Sequence, residues 1–224
     1  MFLFVVLCLP CAVALYDIRF GKKESIMPTF AGFLLGVFVV TIKAFFSSAY
    51  RIPSANFFFN YVYTFFVYTA LPMAAVFVLF FFLSNDTLSF RVRSFFPLVA
   101  SFFALYMPYT ILEGARSTYG FFELFVKPVL YTELLYLAHF SFAFVLHSKM
   151  IDDKKTFWHA RIIFALVLLL PAFIETLWFS GLALFFWLPV FCLYTLATIF
   201  AFTNFLKGLS LETDGFAFFL PNKN

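Results

Sequence analysis

Charge is scarce in this sequence. Only 12% of its 224 residues are Asp, Glu, Lys or Arg, against about 25% in a soluble domain. Glycine is scarce too, with eight residues. "EGARSTYG" (113–120) therefore holds no phosphate-cradling pattern, and no G-x-S-x-G nucleophile elbow occurs. The three histidines, His139, His147 and His159, lack H-x-x-x-H or H-E-x-x-H spacing, so no metal set is expected. Of the three cysteines, Cys8 and Cys11 form "CLPC" in an apolar run. A C-x-x-C pair becomes reactive beside a cation or a helix N-terminus. No cation lies near this one, so Cys8, Cys11 and Cys192 read as inert membrane thiols. No basic run is dense enough for nucleic acid, and no cofactor is implied.

What the sequence has is apolar bulk. Hydrophobic residues make up 64%, Phe alone supplies 41, and the mean hydropathy is +1.00. A soluble fold of this size leaves about a third of its chain surface in water, which cannot accommodate such a composition. The surplus must face lipid, where Phe serves as Leu does. The expected fold is all-α, a polytopic helix bundle of about seven transmembrane helices.

Seven apolar segments can be read, at 2–16, 27–47, 57–83, 94–112, 128–147, 160–179 and 183–204. The third is long enough to tilt, or to bend near Pro72. The last two form a hairpin turning at "FSG", Phe179 to Gly181. "AVA", Ala12 to Ala14, resembles a signal-cleavage site, but no basic region precedes it. Placing loop 17–26 in the cytoplasm puts Arg19, Lys22, Lys23, Arg91, Arg93, Lys149, Lys154, Lys155, Arg161, Lys207 and Lys223 inside. Lys43, Arg51, Arg116 and Lys127 then fall outside, eleven against four. Cytoplasmic loops favour Lys and Arg. The expectation is thus an uncleaved first span, the N-terminus outside and the C-terminus cytoplasmic. Residues 1–206 form one membrane domain and 207–224 a short tail. With no organelle-targeting segment, the expected compartment is a bacterial inner membrane.

Several polar residues interrupt the spans. "YTELLYLAHFSFAF" (131–144) carries Glu133 and His139 inside an apolar stretch. In the expected topology Glu133 and Glu175 each lie about 8 Å from the outer end of a span, and the two spans are consecutive, hence neighbours. Asn60, Thr64 and Tyr68 recur every four residues on one helix face. Lys43, Tyr106, Tyr109 and Thr110 fall at a similar level. Thr132, Tyr136 and His139 form one stripe, with Glu133 about 120° around from His139 and Tyr136 between them. Tyr131, Thr132 and Tyr136 offer hydrogen-bonding groups around Glu133.

Ionisable groups in a span are costly and usually functional. The expectation is an outward-facing polar site in which Glu133 and Glu175 share one level, balanced by Lys43 or a bound cation. Asn60, Tyr131, Tyr136 and His139 are the further binding or coupling candidates. The alternative is interfacial side chains that reach water or a neighbouring helix. Trp158, Trp178 and Trp187 fit interfacial belts.

"LYDIRFGKKESIMP" (15–28) resembles the first catalytic-Asp region of prepilin peptidases, with Asp17 in the place of the catalytic residue. That family needs a second Asp in a G-x-G-D motif, which this chain lacks, so aspartyl chemistry is not expected. "DDKK" (152–155) resembles half of a diphosphate site without its other half, and reads as a solvated turn. The favoured function is a small transporter or channel-like protein. The alternatives are a structural or assembly subunit and a lipid-modifying membrane enzyme, for which no nucleophile or metal set is evident. Expected partners are the lipid bilayer and other membrane subunits.

Overall fold

Lipid offers the backbone no hydrogen bonds, so an apolar segment crossing it must satisfy its own N–H and C=O groups, as a helix does. The computed structural model of the chain describes residues 26–47, 56–83, 88–115, 122–148, 154–180 and 184–210. Among these, every residue but Asn56 and Ser180 is helical, and there is no strand. The helices are α1 (Ile26–Ser47), α2 (Phe57–Phe65), α3 (Leu71–Leu83), α4 (Leu88–Ala115), α5 (Lys127–Ser148), α6 (Lys154–Phe179) and α7 (Leu184–Ser210). A π-helical turn, Phe66–Ala70, joins α2 to α3, and another, Phe122–Val126, leads into α5. The first apolar segment, Cys8, Cys11, Asp17 and the tail after residue 210 lie outside the described residues.

Four stretches are long and apolar enough to cross a membrane: Ile26–Phe45, Phe57–Leu83, Lys127–Leu146 and Lys154–Phe179. A shorter apolar run covers Phe186–Ala201. Large apolar side chains stand exposed on α1 (Phe30, Leu34, Phe38), α3 (Val78, Phe81, Phe82) and α7 (Leu196, Ile199). A surface of this kind belongs against lipid, and the chain has the character of an integral membrane protein.

The packing is uneven. Three-quarters of the α5 span (75%) is buried within the protein, against 22% for α1, 28% for Phe57–Leu83 and 39% for α6. Among these four stretches α5 is the most enclosed, and it packs against α4, α6 and α7. This explains Tyr131, Glu133, His139 and Ser141 in "YTELLYLAHFSFAF": all four are buried against protein, so lipid does not have to accept them. An aromatic cluster fills the space between α3, α4, α5 and α6. The Phe95 and Phe142 ring centroids lie 4.4 Å apart, Phe80 and Phe142 5.3 Å, and Phe77 and Phe164 5.6 Å.

α1 lies along α4. The contact depends on Gly32 and Gly36, one turn apart. A Cβ at Gly32 would run into Ser101 Oγ and the Leu98 carbonyl, and one at Gly36 would stand 3.2 Å from the Phe102 carbonyl. Small residues four apart let two membrane helices approach backbone to backbone. The G-x-x-x-G spacing at 32–36 is the signal for it.

Trp158 is 58% exposed, as an interfacial residue would be, but Trp187 is buried. Its ring meets Trp178 edge-on at 5.0 Å and Phe122 at 6.2 Å. Trp187 thus belongs to a packed aromatic cluster that closes the α6–α7 hairpin, a correction to its reading as a belt residue. Hydropathy places a Trp near a span end but does not say which way its ring faces.

Candidate functional site

Two groups of polar residues emerge, and α5 contributes to both. The first begins at Lys127, the opening residue of α5. Its Nζ lies 2.7 Å from Glu175 Oε1 on α6, with the side chains 2% and 4% exposed. Tyr131, one turn along α5, stands with its hydroxyl 3.5 Å from Glu175 Oε2. Lys127 Nζ also sits 4.4 Å from the centre of the Tyr68 ring. Lys43, on α1, lies at the same 4.4 Å distance from that ring. Its Nζ is 5.1 Å from the Tyr106 ring and 5.6 Å from the Tyr109 ring. Such distances are in the range of cation–π attraction. Lys43, Tyr68, Lys127, Glu175 and Tyr131 therefore form one connected chain across the bundle.

The counter-charge of Glu175 is Lys127, where Lys43 or a bound cation was expected. Lys127 sits at the edge of its apolar segment and reads there as a loop charge. The spacing of Lys127 and Tyr131, four apart on one helix face, is the signal that both could meet one carboxylate.

The second group centres on Glu133. Tyr131 and Glu133 are two residues apart, so they point about 160° away from each other around α5. Glu175 meets the Tyr131 face. Glu133 faces α7, where it hydrogen-bonds with Thr195 and lies close enough to Tyr194 for the two to interact electrostatically. It is 6% exposed, and its Oε2 has no hydrogen-bond partner among the described residues. The Thr195 hydroxyl is also 3.1 Å from the Phe191 carbonyl. One hydroxyl proton cannot fully serve both acceptors. The two carboxylates thus have separate surroundings.

Below Glu133 the same face of α5 lines a groove shared with α6 and α7. Leu137, Phe144, Ile163, Leu170, Leu193 and Ala201 are among its walls, and its volume is about 420 Å³. Two hydroxyls border it, and both are engaged with backbone. Ser141 donates to the Leu137 carbonyl at 2.6 Å, and Tyr194 to the Val167 carbonyl at 3.1 Å. The walls are therefore apolar in effect.

The remaining candidates lie elsewhere. His139 is buried on α5 with its ring nearly parallel to Phe95, centroids 6.4 Å apart, at the edge of the aromatic cluster. Asn60 is half-buried on α2, which packs on α6. The Tyr136 side chain lies outside the described residues. Among the described residues no group of His, Cys, Asp and Glu could hold a metal ion, and Cys192 is an exposed free thiol. Comparison with known proteins finds no matching family model, no matching curated protein and no matching solved structure.

Proposed function

We propose that this chain is a small transporter or channel-like membrane protein that takes a solute beside α5, with Glu133 as its coupling carboxylate. The observation supporting this is the Glu133 side chain, 6% exposed on a helix enclosed by α4, α6 and α7, with Oε2 lacking a partner among the described residues. A buried acceptor without a donor costs about 1–3 kcal/mol, and a solute bearing donors or positive charge would offset it. Glu175 differs, because Lys127 already compensates it. The coupling element is accordingly one carboxylate, with Glu175 holding α5 to α6. The proposed setting is the seven-span topology with the N-terminus outside and the C-terminus cytoplasmic, in a bacterial inner membrane.

A structural or assembly subunit is the second reading, and the Lys127–Glu175 pair favours it, since such a pair fixes two helices whether or not anything passes between them. Flux in reconstituted vesicles separates the two. Wild-type protein should relax an imposed proton or sodium gradient at least tenfold faster than the Glu133→Gln variant. Rates equal to those of protein-free vesicles would rule out transport of these ions and leave the structural reading standing.

A further inference from the structure

We infer that the groove between α5, α6 and α7 binds a single-chain amphiphile with a primary ammonium head, the head at Glu133 and the chain along the groove. This rests on the reading of Glu133 as a solute-binding carboxylate and gives that solute a chemical class.

Continuity is the first argument. Glu133, Leu137, Phe140 and Phe144 follow one another at i, i+4, i+7 and i+11, a single stripe of α5. The last three line the groove, and Glu133 stands one turn beyond them. Shape is the second. From the level of Thr195, where Glu133 meets α7, the lining runs on to Ala201, a rise of about 9 Å, and on α5 it runs from Leu137 to Phe144, about 10 Å. A compact ion would leave this length without purpose, whereas an extended alkyl chain would fill it. Chemistry is the third. The hydroxyls of Ser141 and Tyr194 are committed to carbonyls, so the walls offer a chain only apolar contact. Glu133 Oε2, without a partner among the described residues, is the polar atom at the end of that stripe. An ammonium carries three donors and the opposite charge, and its bond to a carboxylate is of the strong, charge-assisted kind. A carboxylate, sulfate or phosphate head would set like charges together in a buried place and be rejected. Depth is consistent as well. Glu133 lies about 9 Å along α5 from Lys127, and the groove continues away from that helix end. A lipid in one leaflet has the same direction, head near the helix ends and chain toward the middle.

The test uses the full chain in phosphatidylcholine nanodiscs and a dodecylamine with a diazirine at the end of its chain. After photolysis, mass spectrometry locates the labelled peptides. Labelling should concentrate on the groove segments of α5 and α7 and fall at least tenfold with excess dodecylamine, but not with equal dodecyl sulfate. Glu133→Gln should lower it about tenfold, and so should Ala197→Trp, which fills the groove from α7. Label spread evenly over the lipid-facing sides of α1 and α3 would overturn the inference. So would equal competition by dodecyl sulfate, or groove labelling in Glu133→Gln that matches wild type. The competition arm needs no variant and decides the matter if a substitution prevents folding. Labelling without flux would sink the transport reading alone, and flux without labelling would sink this one alone.

Discussion

Glu133 and Glu175 are both acidic residues in apolar runs, and the bundle treats them differently. Lys127 meets Glu175 at 2.7 Å, while one oxygen of Glu133 has no partner among the described residues. Burying two charges is itself costly, and a well-paired buried bridge is close to neutral against an apolar pair of similar volume. Removing one partner is another matter, because it strands a charge. Lys127→Met or Glu175→Leu alone should therefore lower stability by about 3–5 kcal/mol. The double variant should recover most of that loss, as read by denaturant unfolding in detergent. Additive losses in the double variant would mean that the pair contributes no coupling. Both carboxylates were visible in the sequence, since charge in an apolar run needs no fold to be noticed. Their separation was not read there: the expectation set both at one site with Tyr131 beside Glu133, and Glu175 instead meets Tyr131. Glu133 lies about 160° around α5 from Tyr131, so a group meeting Tyr131 could not also meet Glu133. The α7 surroundings of Glu133 were not visible, because a single helix does not say which neighbour covers each face.

At the scale of elements, proline explains where the helices depend on one another. Pro72 follows the π-turn Phe66–Ala70. The Leu71 N–H reaches the Phe66 carbonyl, and Pro72 has no N–H to give, so the Val67 carbonyl is left without an intrahelical donor. Tyr106 on α4 donates to it at 2.8 Å. The same arrangement recurs on α6. Pro171 lies inside that helix and deprives the Val167 carbonyl four residues back. Tyr194 on α7 donates to that carbonyl at 3.1 Å. Neighbouring helices supply what a membrane proline removes. Tyr194→Phe should accordingly destabilise by about 1–2 kcal/mol, the range for an interhelical bond whose acceptor is then unsatisfied. In a Pro171→Ala background, where the α6 backbone can serve Val167 itself, the same change should cost under about 0.5 kcal/mol. An equal cost in both backgrounds would show that Tyr194 acts through packing alone. A bend near Pro72 could be expected from the sequence. The tyrosines that answer each proline could not, because that pairing spans 39 residues in one case and 27 in the other.

For the whole molecule, hydropathy placed the helices from residue 26 onward and was silent on their arrangement. It could not say that α5 packs against three of the others, α4, α6 and α7. The α1–α4 contact had its own sequence signal, the glycines at 32 and 36, which a count of glycine as scarce passes over. The arrangement in turn bears on orientation. Of the four basic residues assigned to the outer side, Lys127 is buried against Glu175 and Lys43 lies among the rings of Tyr68, Tyr106 and Tyr109. Both charges are engaged within the bundle, so neither is an ordinary loop charge. In the proposed topology the outer side then keeps only Arg51 and Arg116 of its four, and the asymmetry behind that proposal grows, since loop charges are what set orientation. On the opposite side, Lys154 and Lys155 are exposed at the start of α6, where they act as loop charges do. In a cysteine-free background, Lys155→Cys should react with a membrane-impermeant maleimide only after cells are permeabilised. Arg116→Cys, in the connection between α4 and α5, should react in intact cells. The reverse pattern would invert the bundle, placing the end of α5 that carries Lys127 and Glu133 toward the cytoplasm. Glu133 would then draw its solute from the cell interior, and the transport reading would become one of export.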